Sequence, residues 1–130
     1  MILILDRHDA IAGFVGKGLG TTILPPYTAI GWASGNEIVG GAVFNCWNGS
    51  NIELTLYAPH AIYRGVVLAL KHYAFEQLGA LRVSATTRRG NVPVRKMLPR
   101  AGFEFEGVAK QFFGPTRADD GLRFVLRRER

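Results

Sequence analysis

The sequence has very little of the residue types that build disulfides and metal sites. Cys46 is the only cysteine among 130 residues, so no disulfide can form within the chain. A reducing compartment is therefore expected. His8, His60 and His72 lie too far apart to form a zinc signature. These shortages argue against a disulfide-stabilised secreted domain and predict a protein without a bound metal.

Long hydrophobic runs are also missing. The apolar start, Met1–Leu5, is interrupted by Asp6 and Arg7 and is too short for a signal peptide or a membrane span. Apolar residues make up 48% of the chain and charged residues 20%, which is typical of a folded domain. We therefore expect a single domain over residues 1–130, located in the cytoplasm.

The net charge of +6 is unevenly distributed, because basic residues concentrate in the last third of the chain. Such an excess can attract an anionic partner, either nucleic acid or a phosphate-bearing cofactor. A solvated basic face explains it equally well. The basic residues in question are Arg88, Arg89, Arg95, Lys96, Arg100, Lys110, Arg117, Arg123, Arg127, Arg128 and Arg130.

Two common catalytic motifs are absent, which argues against a serine hydrolase with a nucleophilic triad and against a kinase or nucleotide hydrolase. The chain has no Gly-x-Ser-x-Gly nucleophile motif and no Gly-Lys-Ser/Thr phosphate loop. The glycine-rich segment Gly13–Gly20 lies at the end of a predicted amphipathic helix, and not between a strand and a helix. We interpret it as a helix ending.

Hydrophobic periodicity predicts an alternation of strands and helices. Tight turns between the early strands require antiparallel neighbours, while the strand–helix–strand crossover from Ile52 to Ala85 requires a parallel pair. A mixed, mostly antiparallel sheet flanked by helices follows, in the α/β (α+β) class, with a bulge at Gly40-Gly41. The predicted strands are 1–5, 29–33, 37–47, 52–57, 81–85, 103–110 and 122–127, and the predicted helices are 9–19, 62–78 and a third beginning at Asn91.

The segment from Asn91 to Gly107 is the most informative part of the chain. Asn91 is a favourable N-cap, Pro93 is tolerated in the first helical turn, and Gly102 suits the left-handed residue that ends a helix. Pro99 should bend the last turn. Asp9 is likewise predicted to cap the first helix.

This segment resembles the C-terminal signature of the GNAT superfamily of acyl-CoA-dependent N-acetyltransferases. The nearest resemblance is to the branch that acetylates protein N-termini and to small phage-encoded GNAT-like proteins. The resemblance implies the GNAT fold with a shortened N-terminal part, in which the fourth and fifth strands splay apart to admit the acyl-CoA. It also implies acetyl-CoA as a co-substrate.

The family's glycine-rich cofactor loop is not reproduced here. Its glycines would fall near Pro59 and Ala61, and an Arg-Gly pair follows one helical turn later. Either this pair cradles the pyrophosphate in a shortened loop, or cofactor binding is weakened or lost and the pair is a surface arginine next to a packing glycine. The cofactor-binding residues implied by the resemblance are Leu56, Tyr57, Arg64, Gly65, Val66, Asn91 and Lys96.

The catalytic residues implied by the resemblance lie on the fourth strand. Glu53 is the candidate base, and a backbone N–H near Leu56–Tyr57 would polarise the thioester carbonyl. The family's tyrosine acid is replaced by Leu98, and Tyr57 is a nearby substitute. His60 is a second candidate base.

The resemblance predicts transfer of an acetyl group from acetyl-CoA to a primary amine, by direct attack in a ternary complex. The acceptor is open among a protein N-terminus, a lysine, a small amine and a nucleobase amine. The alternative is a degenerate GNAT-fold protein that binds a protein or nucleic acid and has no acetyltransferase activity. Exposed edge strands leave a homodimer open.

Overall fold

A computed structural model describes residues 1–59 and 62–129. The strands are β1 (Ile2–Ile4), β2 (Tyr27–Ser34), β3 (Glu37–Asn45), β4 (Asn51–Tyr57), β5 (Arg82–Arg88), β6 (Glu104–Ala109) and β7 (Gly121–Arg127). The helices are α1 (His8–Leu19), α2 (Arg64–His72), which continues as a π-helical turn over Tyr73–Gln77, and α3 (Val92–Arg100). No helix in these ranges is both long and apolar enough to cross a membrane.

The seven strands form one mixed sheet in the order β1-β2-β3-β4-β5-β7-β6. All neighbouring pairs are antiparallel except β4 and β5, which are parallel. The parallel pair is possible because α2 carries the chain back along the face of the sheet before β5 begins, as a crossover between parallel strands requires. The predicted mixed, mostly antiparallel sheet is confirmed.

Helices cover the two faces of the sheet unequally. On one face, Ile11 and Val15 of α1 pack against Ala29 of β2 and Val43 of β3. On the other face, α2 and α3 cover the larger core, which includes Leu54 of β4. The alternation predicted for β4 is confirmed, since its residues are buried at every second position from Ile52 to Leu54.

One predicted helix cap is wrong, and a second occupies its predicted position without a capping hydrogen bond. Helix α1 begins at His8, and the Asp9 carboxylate accepts a hydrogen bond from the Tyr27 hydroxyl at 2.6 Å instead of capping the helix. Asn91 directly precedes α3, but its side chain makes no cap hydrogen bond. The prediction for Gly102 is confirmed, because this residue has a φ of +99° just beyond the helix.

Several predicted boundaries shift by one to three residues, as at β2, which covers Tyr27–Ser34 against a predicted 29–33, and β5, which covers Arg82–Arg88 against 81–85. The predicted 62–78 helix begins at Arg64 and ends in the π-helical turn. The bulge in β3 lies at Val39, one residue before the predicted position, because Trp32 pairs with Gly40 while Ala33 pairs with Ile38.

Gly40, next to the bulge in β3, contacts the indole ring of Trp32 in the larger core. The Trp32 side chain is fully buried, and a Cβ at position 40 would collide with its indole ring. A glycine is therefore required by the packing of the ring and not by a left-handed backbone, since its φ is not positive.

We expect Gly40→Ala to lower the free energy of unfolding by about 1–3 kcal/mol, because the indole must move out of a fully packed position. Gly107→Ala on β6 is the matched control, since an added Cβ there meets nothing within 4 Å. Urea denaturation of both variants measures the difference. Equal transition midpoints would contradict the packing described here.

Candidate functional site

The pairing between strands β4 and β5 ends about halfway along their length. Their register runs from Asn51 opposite Arg82 to Leu54 opposite Ala85. Beyond these positions β4 continues to Tyr57 and β5 continues to Arg88, and no further pairing joins them within the described residues. A gap therefore opens in the middle of the sheet.

A cleft of about 590 Å³ occupies this gap and the sheet face beside it. Its walls come from the loop after α1, from β4 and β5, from the residue before α3, and from the connection between β6 and β7. The lining residues are Leu19–Leu24, Asn45, Glu53–Leu56, Ser84, Thr86–Arg88, Asn91, Phe112 and Phe113. Together with Asn45 at the end of β3, the cleft thus collects residues from six separate parts of the chain.

Glu53 provides the carboxylate in this cleft. Its Oε1 lies 3.7 Å from Nη2 of Arg123, which is longer than a hydrogen bond, and the Glu53 side chain is 41% exposed. The Arg123 guanidinium is held by a second contact, because its Nη1 donates to Oγ1 of Thr86 at 3.0 Å. The carboxylate therefore lies beside a fixed positive charge and keeps its oxygens available to a ligand.

The connection between β6 and β7 contacts the turn between β5 and α3 through an ion pair and a backbone hydrogen bond. The nearly buried Asp120 accepts a hydrogen bond from the Gln111 N–H at 3.0 Å and lies 3.6 Å from the Arg89 guanidinium. The Gly90 N–H donates to the Ala118 carbonyl at 3.1 Å. These contacts fix the wall that carries the two phenylalanines.

A capping box stabilises the same connection. Asp119 accepts hydrogen bonds from both the hydroxyl and the N–H of Thr116, at 2.7 and 3.1 Å. These two bonds hold the pKa of the Asp119 carboxyl below its usual range. The carboxylate is therefore ionised at neutral pH and closes the short 3₁₀ turn.

Asn91 lies where the cleft meets α3. Its carbonyl accepts a hydrogen bond from the Arg95 N–H at 3.0 Å, and its own N–H donates to the Arg88 carbonyl at 2.9 Å. The side-chain amide is not used as a helix cap and lines the cleft. Lys96 is exposed on the same helix. Because the Asn91 side chain makes no cap hydrogen bond and the residue lines the cleft, its amide can hydrogen-bond a ligand.

The start of α2 has the features of an anion cradle. Arg64 and Gly65 are exposed in its first turn, and their N–H groups have no partner within the helix. Among residues 1–59 and 62–129, a Cβ at Gly65 would meet Met1 Cε alone, at 3.9 Å. Val66 is fully buried, and its N–H donates to the Tyr63 carbonyl at 3.0 Å. Val66 therefore anchors the turn.

The two predicted residues at the end of β4 face different surroundings. Leu56 lines both the cleft and a small apolar cavity of about 30 Å³ between α2 and α3. The Tyr57 ring packs under α1, with its centroid 5.5 Å from that of Phe14 and its face against Gly18. Among the described residues that line the cleft, its side chain is not included. His60 lies outside the described residues.

The structure adds residues that the sequence patterns did not reveal. Thr86, Arg88 and Arg123 reach the site through the pairing of β5 with β7, a register that no local motif announces. Phe112 and Phe113 carried a usable signal, because two adjacent phenylalanines before Gly114 stand in a polar, turn-rich segment. Such aromatic residues in a loop are often ligand contacts.

No family model and no curated protein matches the chain. Solved structures do. The ribosomal-protein-alanine N-acetyltransferase from Brucella melitensis is 16% identical, with a TM-score of 0.69 over 98% of this chain and 100% of that one. A Bacillus subtilis acetyltransferase in complex with CoA is 16% identical, with a TM-score of 0.66 over 97% and 90%.

Two further matches complete the picture. YncA from Salmonella typhimurium, solved with its cofactor acetyl-CoA, is 14% identical, with a TM-score of 0.68 over 97% of this chain and 92% of that one. The chain spans 62% of the length of a probable acetyltransferase that is 22% identical, with a TM-score of 0.66. The chain therefore has the GNAT acyltransferase fold, as predicted. The N-terminal-acetylating and phage-related branches stay predictions.

The pKa of the Cys46 thiol depends on the charge of the Glu53 carboxylate. Partial desolvation raises the pKa of its thiol, and the negative charge of Glu53 raises that pKa further. Because a neighbouring anion disfavours the thiolate, removing the charge must lower the pKa. No other cysteine is present to obscure the measurement.

We expect Glu53→Gln to move the pH profile of Cys46 alkylation by iodoacetamide towards lower pH, followed by mass spectrometry. Glu37→Gln, at the opposite end of β3, is the control and should leave the profile in place. An unchanged profile in Glu53→Gln would show that the carboxylate does not lie beside the thiol.

Proposed function

We propose that the protein is an N-acetyltransferase that transfers an acetyl group from acetyl-CoA to a primary amine, by direct attack in a ternary complex. The observation that carries this proposal is the parting of β4 and β5, which opens a cleft containing a carboxylate within a GNAT fold. The structural neighbours that contain CoA or acetyl-CoA support the same co-substrate.

The described residues fit a bound acyl-CoA in three places. The N–H groups of Arg64 and Gly65 and the positive end of the α2 dipole suit a pyrophosphate, and the Arg64 side chain adds a charge. The Asn91 amide can hydrogen-bond the pantetheine arm, and Lys96 can meet a phosphate. When bound, acetyl-CoA supplies the thioester whose acetyl group is transferred.

The backbone of β4 supplies an electrophilic contact. The edge of Thr55–Tyr57 that faces β5 has no strand partner in the described structure. An N–H of Leu56 or Tyr57 on that edge can therefore donate to a carbonyl oxygen of the bound substrate. Since the other edge of β4 is held by β3 as far as Tyr57, this donor is fixed before a substrate arrives. Tyr57 takes part here through its backbone.

Glu53 is positioned to handle the proton of the acceptor. A primary amine is largely protonated at neutral pH and must lose a proton before or during its attack. The half-exposed Glu53 carboxylate can accept this proton, directly or through a water molecule, and its charge attracts the ammonium form into the cleft. Arg123 restrains the carboxylate without occupying its oxygens.

A binding protein without acetyltransferase activity is the second candidate, and one observation favours it. Leu98, at the position of the family's tyrosine acid, is only 1% exposed and packs in the core. The nearby cavity between α2 and α3 measures only about 30 Å³. The chain thus offers no side-chain acid at that position, and activity requires the thiolate to be protonated by other means.

We expect Glu53→Gln to lower kcat for amine acetylation by about 10²–10⁴-fold, because a neutral amide cannot accept the proton. The KM for acetyl-CoA should change little, since Glu53 contacts the acceptor. Release of CoA is followed with a thiol reagent across a panel of primary amines. Glu104→Gln, an exposed glutamate paired with Arg127 outside the cleft, is the control. Full turnover in Glu53→Gln would remove it as the base.

We expect Arg64→Ala to weaken acetyl-CoA binding by about tenfold, because a charge-assisted contact to phosphate is lost. Calorimetric titration measures the change. Arg100→Ala, at the exposed C-terminal end of α3, removes the same charge away from the proposed cradle and should leave the affinity unchanged. Equal affinities for Arg64→Ala and the unmodified protein would show that the phosphates bind elsewhere.

A further inference from the structure

Two exposed apolar side chains stand at the opening of the cleft, on loops that lie far apart in the sequence. Leu24, in the loop between α1 and β2, is 72% exposed, and Phe112, in the connection between β6 and β7, is 53% exposed. Both line the cleft. Apolar and aromatic side chains that line a cleft supply much of its contact with a bound ligand. Leu24 and Phe112 are called the apolar rim below.

The Phe112 half of the rim is held in place. Its ring lies edge-on to that of Phe113, with centroids 4.8 Å apart, and its Cβ closely approaches Gly121, where an added Cβ would lie 2.9 Å away. Phe113 is fixed in turn, because its N–H donates to the Asp119 carbonyl at 3.0 Å and the Arg88 guanidinium lies 5.1 Å from its ring centroid. Phe112 is therefore preorganised for contact with a ligand.

The charges in the cleft limit how many positive groups an acceptor can carry. Among the described lining residues, Glu53 is the one carboxylate and Arg88 is the one cation. Arg123 lies a further 3.7 Å behind Glu53. One ammonium group can therefore be neutralised, while a second on the same molecule would face guanidinium groups without a carboxylate.

We propose that the acceptor is a monoamine whose amino group is attached to an apolar body of about the size of an aromatic ring. The amine lies at Glu53 and the apolar body is covered by Leu24 and Phe112. This inference rests on the proposed function, in which the acceptor amine shares the cleft with the acyl end of acetyl-CoA. Polyamines and small polar amines should therefore be poor acceptors.

The test measures amine binding separately from acetyl transfer. Saturation-transfer NMR compares 2-phenylethylamine, ethanolamine and spermidine with the unmodified protein, and CoA release is then measured with the same three amines. We expect 2-phenylethylamine to bind at least about tenfold more tightly than ethanolamine, since an apolar group of this size supplies that much discrimination. Spermidine should bind no better than ethanolamine.

Phe112→Ala and Phe105→Ala form a matched pair of variants. Phe105, on β6, is 58% exposed and also lies edge-on to another phenylalanine, Phe124, but it does not line the cleft. Phe112→Ala should weaken 2-phenylethylamine binding to the level of ethanolamine and leave ethanolamine unaffected. Phe105→Ala should change neither.

The outcomes separate this inference from the proposed function. No detectable binding of 2-phenylethylamine, tighter binding of spermidine, or equal effects of the two phenylalanine variants would overturn the inference. Acetylation of spermidine or ethanolamine in preference would overturn it while supporting the proposed function. The expected binding order without any acetyl transfer would contradict the proposed function and support the cleft as a site for apolar monoamines.

Discussion

The candidate site depends on the short parallel pairing between β4 and β5. Each of these strands is held on its other side along the full length of the gap: Tyr57 pairs with Gly41 of β3, and Arg88 pairs with Gly121 of β7. The two halves of the sheet therefore diverge as firm units, and the separation does not come from frayed strand ends. Backbone groups that a continuous sheet would pair internally have no strand partner within the described residues, and they lie beside the cleft that Glu53 and Asn91 line.

The distribution of charge follows from the same arrangement. Helix α1 covers only the β2–β4 side of its face, so the β5–β7–β6 side carries polar residues that pair with each other. Arg82 lies 2.9 Å from Glu106, and Arg127 lies 3.2 Å from Glu104. Within the described residues, part of the basic character of the last third of the chain is therefore locally compensated, by ion pairs of Arg89, Arg123, Arg127 and Arg128. A nucleic-acid partner and a homodimer stay predictions.

The sequence predicted the features that depend on local patterns. Alternation in β4, the tight turns, the crossover and the left-handed Gly102 all follow from neighbouring residues. Features that depend on distant partners were missed or placed wrongly. Asp9 does not cap α1, because it accepts a hydrogen bond from Tyr27, which only the folded sheet brings close. The contact between Arg123 and Glu53 likewise joins residues that are far apart in the sequence. The Tyr57 ring packs against Gly18, a contact that no spacing along the chain indicates.

The most direct test of the central claim, that the gap between β4 and β5 belongs to a working acyl-CoA site, is calorimetric titration of acetyl-CoA into the purified protein, with free CoA as the comparison. We expect saturable binding with one site per chain and a dissociation constant in the micromolar range, within the range of typical enzyme KM values. Absence of binding at millimolar acetyl-CoA would contradict it and would favour the GNAT-fold binding protein without acetyltransferase activity.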